Sequence, residues 1–429
     1  MKLHRNLVFA AVDALGMIFN DGEQADKVLR KVLKFDKRWG SRDRSFIAET
    51  VYDIVRWKRL YSEIAEVKAP YSRPNLFRLF AVWATLRGIE VPDWKQMEPI
   101  PTRRIKGRFD ELSKIRKYKE SIPDWMDEMG EKALGKKWGA ELAALNTQAQ
   151  VVLRANSLKA TVKEVRNTLA DQDIDTKILD THPDALELVE RKNVFTSEAF
   201  KNGFFEVQDA SSQKVARMLE VEPGMRVVDA CAGAGGKTLH LAALMQNKGQ
   251  IIAMDIYAGK LRELKRRSKR AGAHNIETRE ITSTKVFKKL YNSADRVLID
   301  APCTGLGTIK RNPDLKWKLQ PEFVDKVVQR QADILQNYSK IVKDGGKMVY
   351  ATCSILPREN QEQVQAFLAT EQGQKFQLEK EETVSPYNDE ISNCLRLGLI
   401  SSNVVLRTII AVIKPKVNAQ NKILIMIFI

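Results

Sequence analysis

The sequence is short of cysteine and histidine. Its 429 residues hold four of each. Cys231, Cys303, Cys353 and Cys394 form no C-x-x-C pair and lie far apart, so neither a zinc site nor a disulfide scaffold is expected, and no metal is assigned. His4, His182, His240 and His274 are scattered, which leaves a Ser-His-Asp or histidine–metal mechanism little to work with. Long apolar runs are missing too. The longest, Ile423 to Ile429, is far short of a membrane span, and Met1-Lys2-Leu3-His4 leads into no apolar stretch with a cleavage site. These absences predict a cytoplasmic protein with reduced thiols and no membrane partner.

Apolar residues are not scarce. A hydrophobic fraction of 44% with 29% charged residues and 14 prolines excludes a wholly disordered or collagen-like chain, and the length allows two or three domains. The excess is in positive charge. Lys and Arg number 71 against 54 Asp and Glu, a formal net charge of +17, which favours a polyanionic partner.

Periodicity divides the chain into four stretches. Residues 1–118 read as helical, with Leu7, Ala10, Ala11, Ala14, Leu15 and Ile18 at helical spacing and Phe46, Ile47, Val51, Ile54 and Val55 repeating it. Basic residues stud this part: Arg42, Arg44, Arg56, Lys58 and Arg59, then Arg103, Arg104, Lys106 and Arg108. They suit either solvated helix faces or an RNA-contacting surface. Residues 119–200 read as a small α+β module, with strands predicted at Val151–Asn156 and at Phe204–Val207 just beyond it, and a helix at Val162–Leu169. Residues 201–390 alternate strands and helices as a doubly wound parallel sheet requires, the strands being Met225–Asp229, Ile251–Asp255, Arg296–Asp300 and Lys347–Ala351. Ligands of such sheets sit at the carboxyl ends of the strands.

Three groups of residues fall at those ends. The turn Cys231, Ala232, Gly233, Ala234, Gly235, Gly236, Lys237 and Thr238 lets backbone approach a ligand before a helix N-terminus. A Walker A loop would need glycine where Cys231 stands, and a dinucleotide fingerprint would need a third glycine that is absent. Asp255, closing the next strand, is placed to accept hydrogen bonds from two ribose hydroxyls, so an adenosine cofactor without a triphosphate fits. Asp300-Ala301-Pro302-Cys303 and Thr352-Cys353-Ser354 put a carboxylate and two thiols past two further strands. A lone cysteine at a strand end is more often a small buried hydrophobe, but two at equivalent ends point to chemistry. Carbon 5 of cytosine is too weak a nucleophile to attack a methylsulfonium until a thiolate adds to carbon 6; a carboxylate polarises the N3 and amino edge, and a second base removes the C5 proton. Lys237 could lower a thiol pKa if it lies close.

Five motifs in order, Gln208-Asp209-Ala210-Ser211-Ser212-Gln213, the turn through Lys237-Thr238, Asp300 to Gly305, Asn312-Pro313-Asp314-Leu315-Lys316-Trp317, and Thr352-Cys353-Ser354 with Pro357, Glu359 and Asn360, resemble the Sun (RsmB/Nop-type) RNA cytosine-C5 methyltransferase family. The resemblance implies a Rossmann-like class I methyltransferase domain preceded by an α-helical NusB-like RNA-binding domain and the small α+β module. It implies Cys353 as nucleophile and Cys303 as the residue assisting release. S-adenosylmethionine would be bound by Cys231 to Lys237, Asp255, Thr282 and Asp300, with Asp300 between cofactor and base. Where the family has an aspartate near the adenine, this chain has Thr282. Residues 391–429 depart from the family's closing segment, as a shifted reading frame or a divergent tail that packs poorly. The expected substrate is ribosomal RNA, with transfer RNA the nearest rival, no DNA partner and a monomeric enzyme. Arg311 and Lys316 are expected to contact RNA near the crevice mouth, while the basic run Lys260 to Arg270 reads as a solvated helix face or a phosphate stripe. Two other classes compete: a nucleoside triphosphatase using the near-Walker loop with Asp300 on its metal, and a non-catalytic RNA-binding assembly factor.

Overall fold

The apolar stripe of the first helix, Arg5–Phe19, turns Leu7, Val8, Ala11, Val12, Leu15 and Ile18 inward. They meet Ile47, Val51 and Ile54 of helix Ser41–Arg56 and Leu76, Phe77 and Phe80 of helix Arg73–Leu86 in one core. The structure, a computed structural model, describes residues 3–97, 100–384 and 408–415. Local caps set the helix starts. Ser72 Oγ accepts from Asn75 N–H with a proline in the first turn, and the Asp43 carboxylate accepts from Gly40 N–H.

This helical unit does not end at the expected border of 118. It continues to Gln148, taking in helices Asp124–Leu134 and Trp138–Leu145, and recovers Thr308–Phe323 from far down the chain. Within the unit, Ser121 Oγ accepts from Arg59 N–H at 2.9 Å, and Arg56 donates to Lys310 O at 2.9 Å. Lys316 is fully buried. Its Nζ donates to Arg56 O at 2.7 Å, Asn146 Oδ1 at 3.0 Å and Glu120 O at 3.2 Å, and burial drives its pKa far below the usual lysine value. The expected RNA contact by Lys316 is therefore corrected: the ammonium has no path to a phosphate. Trp317 Nε1 donates to Val55 O at 2.7 Å, and Lys318 Nζ to Glu23 O at 2.7 Å. Basic residues at the end of helix Ser41–Arg56 and just after it are used inside this unit, Arg56 on Leu145 O and Lys310 O and Arg59 on Ile122 O and Asp124.

The second unit holds two sheets. β1 (Val152–Ala155), β2 (Thr176–Ile178), β3 (Ala185–Leu188) and β4 (Phe205–Val207) form an antiparallel sheet of order β2-β3-β1-β4. Helix Val162–Ala170, started by a Thr161–Glu164 capping box, packs Val165 and Leu169 onto Leu153, Leu186 and Phe205. Because β4 pairs with β1, this module runs past the expected border at 200.

β5 (Arg226–Asp229), β6 (Gln250–Asp255), β7 (Ile276–Glu280), β8 (Ala294–Asp300), β9 (Val342–Thr352), β10 (Phe376–Val384) and β11 (Thr408–Pro415) form the larger sheet, of order β10-β11-β9-β8-β5-β6-β7. β5 to β9 are mutually parallel, and β11 lies antiparallel between β9 and β10. Alternate strand residues serve opposite faces. Val227, Ile251, Leu298 and Val349 pack with Leu239, Leu261 and Leu264, whereas Val228, Ile252, Val297 and Tyr350 pack with Phe287, Leu335 and Tyr338. The strand order reverses between β5 and β8, opening a crevice at their carboxyl ends. The tail was expected to pack poorly, yet its Thr408–Pro415 segment pairs with β9 from Met348 to Thr352. Residues 385–407, with Cys394, and 416–429 lie outside the described residues. No described helix is long and apolar enough to cross a membrane.

Candidate active site

The turn after β5 brings Cys231, Ala232, Gly233, Ala234, Gly235 and Gly236 against the end of β6. Ala232 N–H donates to Met254 O at 2.8 Å, and Asp255 Oδ2 accepts from Gly233 N–H at 2.8 Å. Asp255 Oδ1 accepts from Tyr257 N–H at 2.8 Å, which leaves each carboxylate oxygen a further lone pair. Gly235, at φ 86°, is required twice over, since a Cβ there would lie 2.0 Å from Leu264 Cδ1. At Gly233 an added Cβ would meet nothing within 4 Å, so space in front of the turn is open. An open glycine face, a free carboxylate edge and the N-terminus of helix Gly236–Leu244 suit a nucleoside cofactor. Thr282 is exposed just past β7, beside Ile281, whose N–H donates to Asp255 O at 2.9 Å. Burial pushes the Cys231 thiol well above its usual range, with Asp229, Asp300 and Asp255 adding to the shift.

Two arginines outside the expected site hold the turn's carbonyls. Arg154, buried in β1, donates to Gly236 O at 2.7 Å, and Arg267 donates to Ala234 O at 2.8 Å. Arg267 and Arg270 both pair with the buried Glu206 of β4. These two members of the basic run thus face inward, while Lys260, Arg262, Lys265, Arg266 and Lys269 are exposed, as the solvated-face reading has it. An arginine inside the apolar strand Val151–Asn156 was the available signal for Arg154.

β8 and β9 are neighbours, with Asp300 opposite Ala351. That pairing sets the two thiols at one place: Cys303 Sγ lies 3.1 Å from Cys353 Sγ, and Cys353 N–H points to Cys303 Sγ at 3.4 Å. Lys237 Nζ donates to Asp300 Oδ2 at 2.6 Å. Burial alone would depress the lysine's pKa, but the charge and hydrogen bond of Asp300, then Cys353 and Asp229, hold it above the ordinary value. The Cys303 thiol is pushed well above its usual range by its hydrogen bond to Cys353, by burial, and by the charges of Cys353 and Glu359. Asp229, at the end of β5, accepts from Thr238 Oγ1 at 2.7 Å. Burial lifts its pKa to about 7, Asp300 adds to this, and Thr238, Lys237 and the Cys231 amide oppose it. Asp229 and Glu359 are buried members of the site that had no assigned role in the sequence.

Residues 216–400 match the family profile of the 16S rRNA methyltransferase RsmB/F, and residues 122–195 match the ferredoxin-like domain of RsmF/B-like methyltransferases. Both matched domains are those of RsmB/F methyltransferases, and over them the chain is similar to that family. The family match runs to residue 400, beyond the departure placed at 391. Among curated relatives, the probable ribosomal RNA small subunit methyltransferase B of Synechocystis sp. is 38% identical over 251 residues, 58% of this chain and 56% of that protein. The Bacillus subtilis protein of the same description is 33% identical over 250 residues, again 58% and 56% of the two chains. The alignments thus span a little over half the length of these relatives. The crystal structure of PH0851 superposes with a TM-score of 0.78 at 25% identity, covering 96% of this chain and 99% of that one. A methyltransferase homolog protein from Pyrococcus horikoshii gives 0.58 at 25% identity, over 71% and 99%. The Rossmann-like sheet order and the helical first unit are consistent with that family.

Proposed function

We propose that this chain is an S-adenosylmethionine-dependent RNA (cytosine-5)-methyltransferase acting on ribosomal RNA in the cytoplasm. One observation carries the reading: two thiols 3.1 Å apart at the ends of adjacent strands, with the Lys237–Asp300 pair at the same strand ends. The relatives' description as ribosomal RNA small subunit methyltransferases supports the substrate class. The glycine turn from Cys231 to Lys237, Asp255 and the segment at Thr282 would hold the cofactor, which when bound supplies an electrophilic methyl group.

The residues divide the work by charge. The nucleophile is Cys353 in its thiolate form, with the Lys237 ammonium as the cation that interacts with it, and Cys303 keeps the proton in the S–H···S bond. Cys353 adds through sulfur to C6 of the cytosine while Asp300 binds the N3 and amino edge, making C5 nucleophilic. Once Cys353 is a neutral thioether, two of the influences that held the proton on Cys303, the hydrogen bond and the charge of Cys353, are gone. Cys303 then loses its proton to solvent and, after C5 is methylated, takes the C5 proton as the Cys353–C6 bond breaks. The starting state returns, with Cys353 a thiolate and Cys303 a thiol, and one proton has been released overall. A nucleoside triphosphatase accounts for neither Asp255 nor the thiol pair.

The test uses RNA containing 5-fluorocytosine. Cys353→Ala abolishes both methylation and covalent trapping, whereas Cys303→Ala accumulates a protein–RNA adduct on unmodified substrate. An adduct with the Cys353 variant reverses the assignment. Bisulfite mapping of ribosomal and transfer RNA from a deletion strain decides between the two substrates.

A further inference from the structure

We propose that Glu359 is a positioning residue that ties the Cys303 and Cys353 loops together and keeps their shared proton on Cys303. The inference rests on the two-thiol reading above for its consequence in catalysis, though not for its geometry. Glu359 is wholly buried, in the short turn Pro357–Glu359 after β9. Its Oε2 accepts from Thr304 N–H at 2.8 Å and from Gln331 Nε2 at 3.1 Å; its Oε1 accepts from Thr304 Oγ1 at 2.6 Å and from Ser354 Oγ. Four donors match the four acceptor sites of a carboxylate.

The sequence positions of those donors give the arrangement its meaning. Thr304 follows Cys303 directly, and Ser354 follows Cys353 directly. One side chain therefore sets the separation of two loops that reach the site from different strands, and the hydroxyls of Thr304 and Ser354 also meet each other at 3.2 Å. Tyr350 of β9 fixes the backbone of the tie, its hydroxyl donating to Glu359 O at 2.9 Å.

The charges around the thiols are arranged unequally. Cys303 lies against Cys353, and the charges of Cys353 and of Glu359, bonded to the neighbouring Thr304 N–H, oppose its ionisation, whereas Cys353 interacts with the Lys237 ammonium, itself paired with Asp300. A buried anion on one side and a cation on the other polarise a thiol–thiolate pair in one direction. Glu359 is thus, with the partner sulfur, one of the two charges named against ionisation of Cys303.

The experiment follows iodoacetamide alkylation of each cysteine against pH by peptide mass spectrometry, on full-length protein without RNA or cofactor. Glu359→Gln is nearly isosteric. Its amide nitrogen can donate to the Thr304 and Ser354 hydroxyls, which rotate to accept, so the tie persists while the charge is lost. The expected result is a downward move of the Cys303 midpoint by about one pH unit, or about tenfold faster alkylation at a fixed pH below it. Thr304→Val removes one donor and leaves the charge, and should leave the midpoint in place. An unmoved Cys303 profile in Glu359→Gln, or an equal shift in Thr304→Val, overturns the proposal. The readout needs no methyl transfer, so loss of the methyltransferase reading would be seen separately, in the RNA assays of the Cys353 variant.

Discussion

Replacing Asp229 by asparagine should change how stability depends on pH. In the folded protein burial holds this carboxyl up to about 7, against an ordinary 3.8. As pH rises from about 4 to about 7, the unfolded chain gives up this proton and the folded chain keeps it. The folded state then binds more protons than the unfolded one, so stability falls across that window and levels above it. A difference of about 3 pH units at 1.36 kcal/mol each sets a ceiling of about 4 kcal/mol on the loss. Asparagine cannot ionise, and any change it makes to the hydrogen bond from Thr238 is independent of pH. Urea unfolding followed by circular dichroism at pH 4.5, 5.5, 6.5 and 7.5 should therefore show Asp229→Asn gaining on the parent, with most of the gain above pH 5.5. A difference between the two proteins that stays constant from pH 4.5 to 7.5 refutes the argument.

Two further outcomes follow from residues at the edges of the site. Arg154→Met removes the guanidinium that holds Gly236 O and should weaken S-adenosylmethionine binding about tenfold by calorimetry, since a charged hydrogen bond is worth about 1.5–3 kcal/mol; unchanged affinity would mean that the small sheet does not shape the turn. Trp317→Ala removes a ring that packs on the helical core, carries Lys58 and Lys316 over its face, and donates to Val55 O. It should lower the stability of the helical unit by about 2–3 kcal/mol in urea unfolding, and a loss under about 1 kcal/mol would contradict the packing argument.

Local signals carried much of the architecture. The strands ending at Asp229, Asp255 and Asp300 and the helix after Gly236 lie close to where apolar runs and the glycine turn put them, because each is bounded by its own sequence. The meeting of Cys303 with Cys353 depended on β8 and β9 being adjacent, a condition that sequence could state without deciding. Charged residues were harder to read. Arg56, Lys316, Arg267 and Arg270 look like solvated or RNA-facing side chains and Arg154 like one residue of a strand, yet each is used by a carbonyl or carboxylate distant in the chain. Partners of Arg59 and β1 lie beyond 118 and 200, so contacts of the structure cross those borders, while the ferredoxin-like family match, 122–195, falls within them. Glu359 was visible as a letter of a motif, but its four donors come from three separate segments.

The return of Thr308–Phe323 to the first unit has a consequence for synthesis. A domain that ends at Gln148 could finish folding as soon as that residue leaves the ribosome. This one has to wait for 175 more residues, from Gln148 to Phe323, before Lys316 and Trp317 can reach Arg56 O, Asn146 and Val55 O. At about 5–20 residues per second the delay is about 10–35 s. During that interval the first third of the chain keeps an open seam, and the seam closes only after the Cys303 loop has been made.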